Sequence, residues 1–175
     1  IWVAGFFLKL LLFTTYHSTD FDVHRNWLAI TNGLPMNKWY YEATSQWTLD
    51  YPPFFAYFEW VLSQFVPQLV KDDGCLDIVE VGEYSLPTVF YQRLTVIVSE
   101  ILVFAMLQWY INTCESDKAR KGGFVVASSI ALSPGFLIID YIHFQYNGFL
   151  FGFIVGSIVA AKQPYYLLRG GLFAA

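Results

Sequence analysis

The sequence predicts an all-α polytopic transmembrane protein, and three observations predict it. Hydrophobic residues make up 56% of the 175 positions and charged residues 14%, whereas soluble domains carry about 25% charged residues. Aromatic residues reach 20%, and Trp and Tyr gather where a bilayer meets water. The apolar residues also fall into long runs, giving a mean hydropathy of +0.44. The chain opens on Ile1 and stops within "RGGLFAA", so it reads as part of a longer polytopic protein.

Four apolar segments follow in order. The first, residues 1–16, is interrupted only by Lys9. A crossing needs about 20 residues, so its start is expected to be missing. A signal peptide is the rival, but no small-x-small cleavage site follows it. Lys9 should face protein or snorkel to the interface. The second span is placed at 89–111, within "PTVFYQRLTVIVSEILVFAMLQWYI". Arg93 and Glu100, seven residues apart, share one helical face there and should find partners inside the bundle. Shorter spans are placed at 123–139 and 148–161, separated by the polar "DYIHFQYN" at 140–147.

Charge sets the orientation. The loop 112–122 carries Lys118, Arg120 and Lys121, and the tail 162–175 carries Lys162 and Arg169. The positive-inside rule makes both cytosolic and puts loop 17–88 and turn 140–147 on the opposite side. Cys75 and Cys114 then lie on opposite sides and should not pair; their spacing matches no metal motif. No basic patch suggests nucleic acid.

The loop 17–88 is read as structured. "TDFDVHRNWLAITNGLP" is a short helix with Thr19 as N-cap and Asp22 at the capping-box position, stopped by Asn32-Gly33 and Pro35. "DYPPFFAYFEWVLSQF" is a second helix headed by Asp50, with prolines in its first turn and an aromatic face for the membrane surface or the bundle. The aromatics of "WYYEATSQW" suit an interface or sugar stacking.

Three stretches, in this order, carry a resemblance: "STDFDVHRNWLAIT", "WYYEATSQWTLDYPPFFAYFEW" and "HFQYNGFLFG". Together they resemble the endoplasmic-reticulum α-1,3-glucosyltransferases of asparagine-linked glycosylation, over most of the chain. The resemblance implies a multi-spanning GT-C type glycosyltransferase several hundred residues long, with its active site on the lumenal face of the endoplasmic-reticulum membrane. It also implies dolichyl phosphate glucose as donor, a dolichyl-pyrophosphate-linked oligosaccharide as acceptor, and the lipid bilayer as surroundings. Of the two sister enzymes, the one adding the second glucose is the nearer match. The sister adding the first glucose, an incomplete fragment of the family and a polytopic transporter are the alternatives.

Moving glucose from a β-linked lipid phosphate into an α-linkage inverts the anomeric carbon. A single carboxylate base then suffices, because a phosphate leaves without protonation. The motif match gives that role to Asp20, which also falls in the first turn of a helix, where the dipole favours the ionised form. Simple complementation of that dipole is the alternative. His24, one turn on, could bond Asp20 or serve the interface. Arg25 could hold phosphate or glycan, or form an ordinary ion pair, and Asp50 could bind substrate or cap its helix. His143, Gln145, Tyr146 and Asn147 are candidates for the donor phosphate, His143 first, against a plain helix-end turn. No metal and no cofactor beyond the donor substrate is expected.

Overall fold

The computed structural model describes residues 2–162 and 166–174, all of the regular structure there being helical. Two compact units are present, Tyr16–Thr95 and Ile1–Thr15 with Val96–Ala175.

In the first unit, α2 (Asp20–Gly33) is the core helix. Phe21, Trp27, Leu28, Ala29 and Ile30 are buried, and His24, Arg25 and Asn26 are buried with them. A helix so enclosed must find a partner for every polar side chain. Asn26 Nδ2 donates to the Trp47 carbonyl at 2.9 Å and Trp27 Nε1 to that of Thr48 at 3.0 Å. These bonds tie the irregular segment 42–52 to α2. A 3-10 turn (Met36–Tyr41) precedes that segment and α3 (Pro53–Gln64) follows it. α3 packs on α2 through Phe55, Ala56, Glu59 and Ser63, and leaves Phe54, Tyr57 and Trp60 exposed. That matches the predicted aromatic outer face, but the inner seam contains a carboxylate. α4 (Gln68–Asp72) closes a cluster of Leu28, Val66, Val70 and Cys75. α5 (Leu86–Ser99) starts where Asp73 accepts from the backbone N–H groups of Ser85 and Thr88, at 2.9 and 3.1 Å.

Two predicted caps are not made. Thr19 is itself helical (φ −59, ψ −22), so its hydroxyl is not placed to cap; the Asp20 N–H instead donates to Ser18 Oγ at 3.2 Å. Asp22 accepts from the Tyr84 phenol at 2.7 Å rather than closing a box. α3 begins at Pro53 after an extended Pro52, which leaves Asp50 outside the cap; the prolines do occupy its first turn.

In the second unit, α1 (Trp2–Leu10) continues to Thr15 through tighter i→i+3 turns, so the regular helix is shorter than the predicted span. α6 (Ile101–Asn112) packs along α9 (Asn147–Ala161) and against α7 (Asp117–Ala131), and α10 (Tyr166–Ala174) also lies on α9. Gly148, Gly152 and Gly156 recur every fourth residue on the buried face of α9. A Cβ at Gly152 would stand 2.9 Å from the Val103 backbone nitrogen, so only glycine permits this approach. The charged side chains set in the apolar runs find partners, as expected. Lys9 is buried against the Glu100 carboxylate, which also accepts from the Tyr141 phenol at 2.8 Å. In the first unit, Arg93 donates to the Tyr16 carbonyl at 3.1 Å.

The stretches Leu86–Asn112 (27 residues, mean hydropathy 1.8) and Asp117–Phe144 (28 residues, 1.9) are long and apolar enough to cross a membrane. The second includes a one-turn helix α8 (Pro134–Phe136) and a π-helical stretch (Leu137–Phe144). The expected polar turn at 140–147 is therefore helical as far as Phe144. Asp140 is the reason: its carboxylate accepts from the N–H groups of Asn147 and Gly148, at 3.2 and 2.7 Å, and so starts α9 from within the preceding helix. Cys75 and Cys114 are both free thiols. Ile1, residues 163–165 and Ala175 lie outside the described residues, so the predicted tail 162–175 is described at Lys162 and from Tyr166 to Ala174.

Candidate functional site

The first unit holds a cavity of about 370 Å³ lined by Asp20, Val23, His24, Trp27, Gln46, Trp47, Thr48, Asp50 and Tyr51. α2 contributes Asp20 from its first turn and His24 and Trp27 from the next two, all on one face at helical spacing. The opposite wall is the irregular segment held by Asn26 and Trp27. Asp20 is half-buried and Asp50 exposed. Burial, and then the negative charges of Asp20 and Asp50, raise the Tyr51 phenol above its usual range.

Behind this cavity is a buried pair. His24 Nδ1 lies 2.7 Å from Glu59 Oε1, and both side chains are almost fully enclosed. Burial pushes the Glu59 carboxyl above the usual carboxylate range, opposed by its bond to His24. Trp27 and Phe55 bracket the imidazole, with ring centroids 5.0 and 5.7 Å away.

Arg25 does not belong to the site. Its side chain is buried on another face of α2, where Nη1 donates to the carbonyls of Cys75 and Asp77 at 3.3 and 2.9 Å. Arg25 follows His24 by one position, and a helix turns about 100° per residue, so the two must face differently. The guanidinium therefore braces the loop after α4 and is not available to a phosphate or glycan. Burial lowers its pKa from the usual arginine value.

The second candidate cluster is split by the fold. Gln145 and Asn147 line a separate cavity in the second unit, with Ser133, Phe136, Asp140 and Phe151. Asn147 Nδ2 donates to Asp140 at 2.8 Å and to Gln145 Oε1 at 2.9 Å, so it is engaged in starting α9. Tyr146 is buried against Phe144, whose φ of +82 is unusual for a bulky residue. His143 is exposed and does not line this cavity. Asp140 takes the first N–H groups of α9, leaving no open helix N-terminus for a phosphate there.

Glu59 and Asp140 are acidic residues that the motifs did not single out, and Gln46 and Thr48 are further polar residues of the cavity wall that they missed. Each of the two acids stands alone within an apolar run, and that was the available signal, since such a residue must be paired or neutralised when buried.

Carboxylates set among aromatic rings, on a helical chain with bilayer-length apolar stretches, fit a membrane protein with a polar cavity outside those stretches. Comparison with known proteins narrows that class: the chain belongs to the ALG6, ALG8 glycosyltransferase family, whose sequence profile matches residues 5–175. It is 70% identical over 172 residues to the dolichyl pyrophosphate Glc1Man9GlcNAc2 alpha-1,3-glucosyltransferase of Saccharomyces cerevisiae, covering 98% of this chain and 30% of that protein. The similarly named protein of Candida glabrata is 69% identical over 173 residues (99% and 31%), and that of Gibberella zeae 55% over 167 (95% and 33%). The chain thus spans about a third or less of the curated relatives it matches.

Proposed function

We propose that this chain carries the base-bearing part of an inverting α-1,3-glucosyltransferase that uses dolichyl phosphate glucose in protein N-glycosylation. The observation that carries the proposal is Asp20, which opens α2 on an acidic, aromatic-walled cavity in a member of this family. The Asp20 carboxylate takes the proton from the acceptor hydroxyl as that oxygen bonds to the anomeric carbon. The bond from that carbon to the phosphate oxygen breaks, and its electron pair leaves with dolichyl phosphate. The step is written without a metal. The protein is placed across the endoplasmic-reticulum membrane with loop 17–88 lumenal, in line with the basic residues of loop 112–122.

The acceptor decides between two sister steps. The names of the relatives specify Glc1Man9GlcNAc2, a glycan already carrying one glucose, and this supports addition of the second glucose. Addition of the first is the second reading, favoured by the shared family. A transfer assay on the full-length protein, with unglucosylated and monoglucosylated lipid-linked acceptors, tests the proposal. Asp20→Asn should lower the rate by a factor of about 10²–10⁴ with membrane insertion intact. Full activity in that variant refutes the base assignment, preference for the unglucosylated acceptor selects the first step, and inhibition by a chelator refutes the metal-free mechanism.

A further inference from the structure

We propose that His24, oriented by Glu59, is a second functional group of the Asp20 cavity, donating from Nε2 to an oxygen of a neutral hexose of the acceptor. This deepens the preceding proposal and rests on it for the role of Asp20. The cavity itself argues for a neutral sugar. Its described lining includes Asp20 and Asp50 but no Lys or Arg, and Arg25 is committed to the carbonyls of Cys75 and Asp77. A phosphate would therefore meet two carboxylates with no cation to offset them. Trp47 and Tyr51 offer apolar ring surface to the C–H groups of a hexose, over the buried Trp27, and Gln46 and Thr48 offer donors and acceptors to its hydroxyls.

The polarity of His24 follows from its partner. Nδ1 is held by Glu59 at 2.7 Å, so the ring nitrogen that serves a ligand is Nε2. The pair packs against Trp27 and Phe55, and with Glu59 fully enclosed a net charge on it is disfavoured. A buried pair without net charge holds two protons, as imidazolium with carboxylate or imidazole with carboxylic acid. In both arrangements Nε2 carries a hydrogen and donates. Glu59 touches no substrate in this scheme; it is a positioning residue acting through His24, much as an acid behind a histidine fixes its tautomer elsewhere.

The test uses full-length protein in detergent with two readouts. One is the KM for donor and acceptor separately. The other is tryptophan fluorescence during titration with free Glc1Man9GlcNAc2 glycan, which needs no turnover and reports on Trp27 and Trp47. His24→Ala and Glu59→Leu should each raise the acceptor KM and weaken glycan binding by about tenfold, the scale of one hydrogen bond lost in an enclosed site, and leave the donor KM unchanged. The near-isosteric Glu59→Gln retains a bond to Nδ1 and should stay within about threefold of wild type; it also remains readable if Glu59→Leu fails to fold. A purely structural Glu59 would lower the amount of folded protein without moving the acceptor KM of the folded fraction. Unchanged acceptor KM and glycan binding overturn the proposal, as does a rise in donor KM instead. Absence of glucose transfer by the wild type would refute the transferase reading, while the titration still decides whether His24 binds sugar.

Discussion

Arg25 Nη1 donates to the carbonyl oxygen of Asp77 at 2.9 Å, joining the middle of α2 to a loop 52 residues further along the chain. The same guanidinium fills the space beside Gly82, where a Cβ would stand 2.8 Å from its Cζ. An arginine so placed holds backbone, not substrate. Hydrogen bonds to a charged group are worth about 1.5–3 kcal/mol each. Arg25→Ala should therefore destabilise the full-length protein by about 3 kcal/mol or more, read as a lower unfolding temperature in detergent. The KM values of the surviving folded enzyme should not change; a selective rise in donor KM would return Arg25 to the phosphate.

This residue shows where sequence reading works and where it stops. The pattern of apolar runs located two bilayer-length stretches, while the expected spans at 1–16 and 148–161 carry regular helices of only 9 and 15 residues; the boundaries of α2 and α3 fell within a few residues of the predicted helices, because periodicity and proline are local signals. Asp20, His24 and Asp50 do share a cavity, since four-residue spacing on α2 and a short connection leave little choice. The destination of Arg25 depended on a carbonyl 52 positions away, which no local pattern encodes. Glu59 was hidden for the same reason: its partner lies 35 residues earlier. The glycines at 148, 152 and 156 were visible at the four-residue spacing of close helix packing, but the facing helix could only be identified from the fold.

Asp73 gives a pH-dependent prediction. Burial alone would raise its carboxyl, but bonds from the side chains and backbone of Ser85 and Thr88 outweigh that and bring it down to about 2, from 3.8. A folded-state pKa below the unfolded value contributes stability above the unfolded value, and that stability is lost as pH falls through the folded one. Wild type should thus lose the contribution progressively between pH 3.8 and about 2. Asp73→Asn should lack it at neutral pH and show a flatter stability profile, measured by thermal unfolding at a series of pH values. An equal slope in both proteins would show that Asp73 does not anchor the start of α5.

The contact of α9 with α6 depends on the absence of a side chain at Gly152. A Cβ there would meet the Leu102 side chain at 2.7 Å and the Val103 nitrogen at 2.9 Å, and backbone cannot move aside as a side-chain tip can. Gly152→Val should force the helices apart and cost about 1–3 kcal/mol, the usual range for overpacking. Gly122→Val is the control, since nothing lies within 4 Å of a Cβ at that position. Limited proteolysis of the two variants in detergent separates them: only Gly152→Val should be cleaved faster than wild type.

Burial changes what the ion pair between Lys9 and Glu100 is worth. Both side chains are almost fully enclosed, Lys9 Nζ stands 4.9 Å from the centre of the Phe104 ring and 4.7 Å from that of Tyr141, and the Tyr141 phenol donates to the same carboxylate. Removing one partner of a buried pair strands the other charge, at about 3–5 kcal/mol, whereas replacing both by uncharged groups of similar volume is often neutral. Lys9→Met and Glu100→Gln should each destabilise strongly. The double variant should recover most of the loss, since the amide oxygen introduced by Glu100→Gln can still accept from Tyr141. A double-mutant cycle on unfolding in detergent measures this directly. Additive losses would mean that each side chain is held by its other neighbours, with the aromatic rings alone stabilising Lys9; a recovered double variant would mean that the pair itself joins α1 to the start of α6.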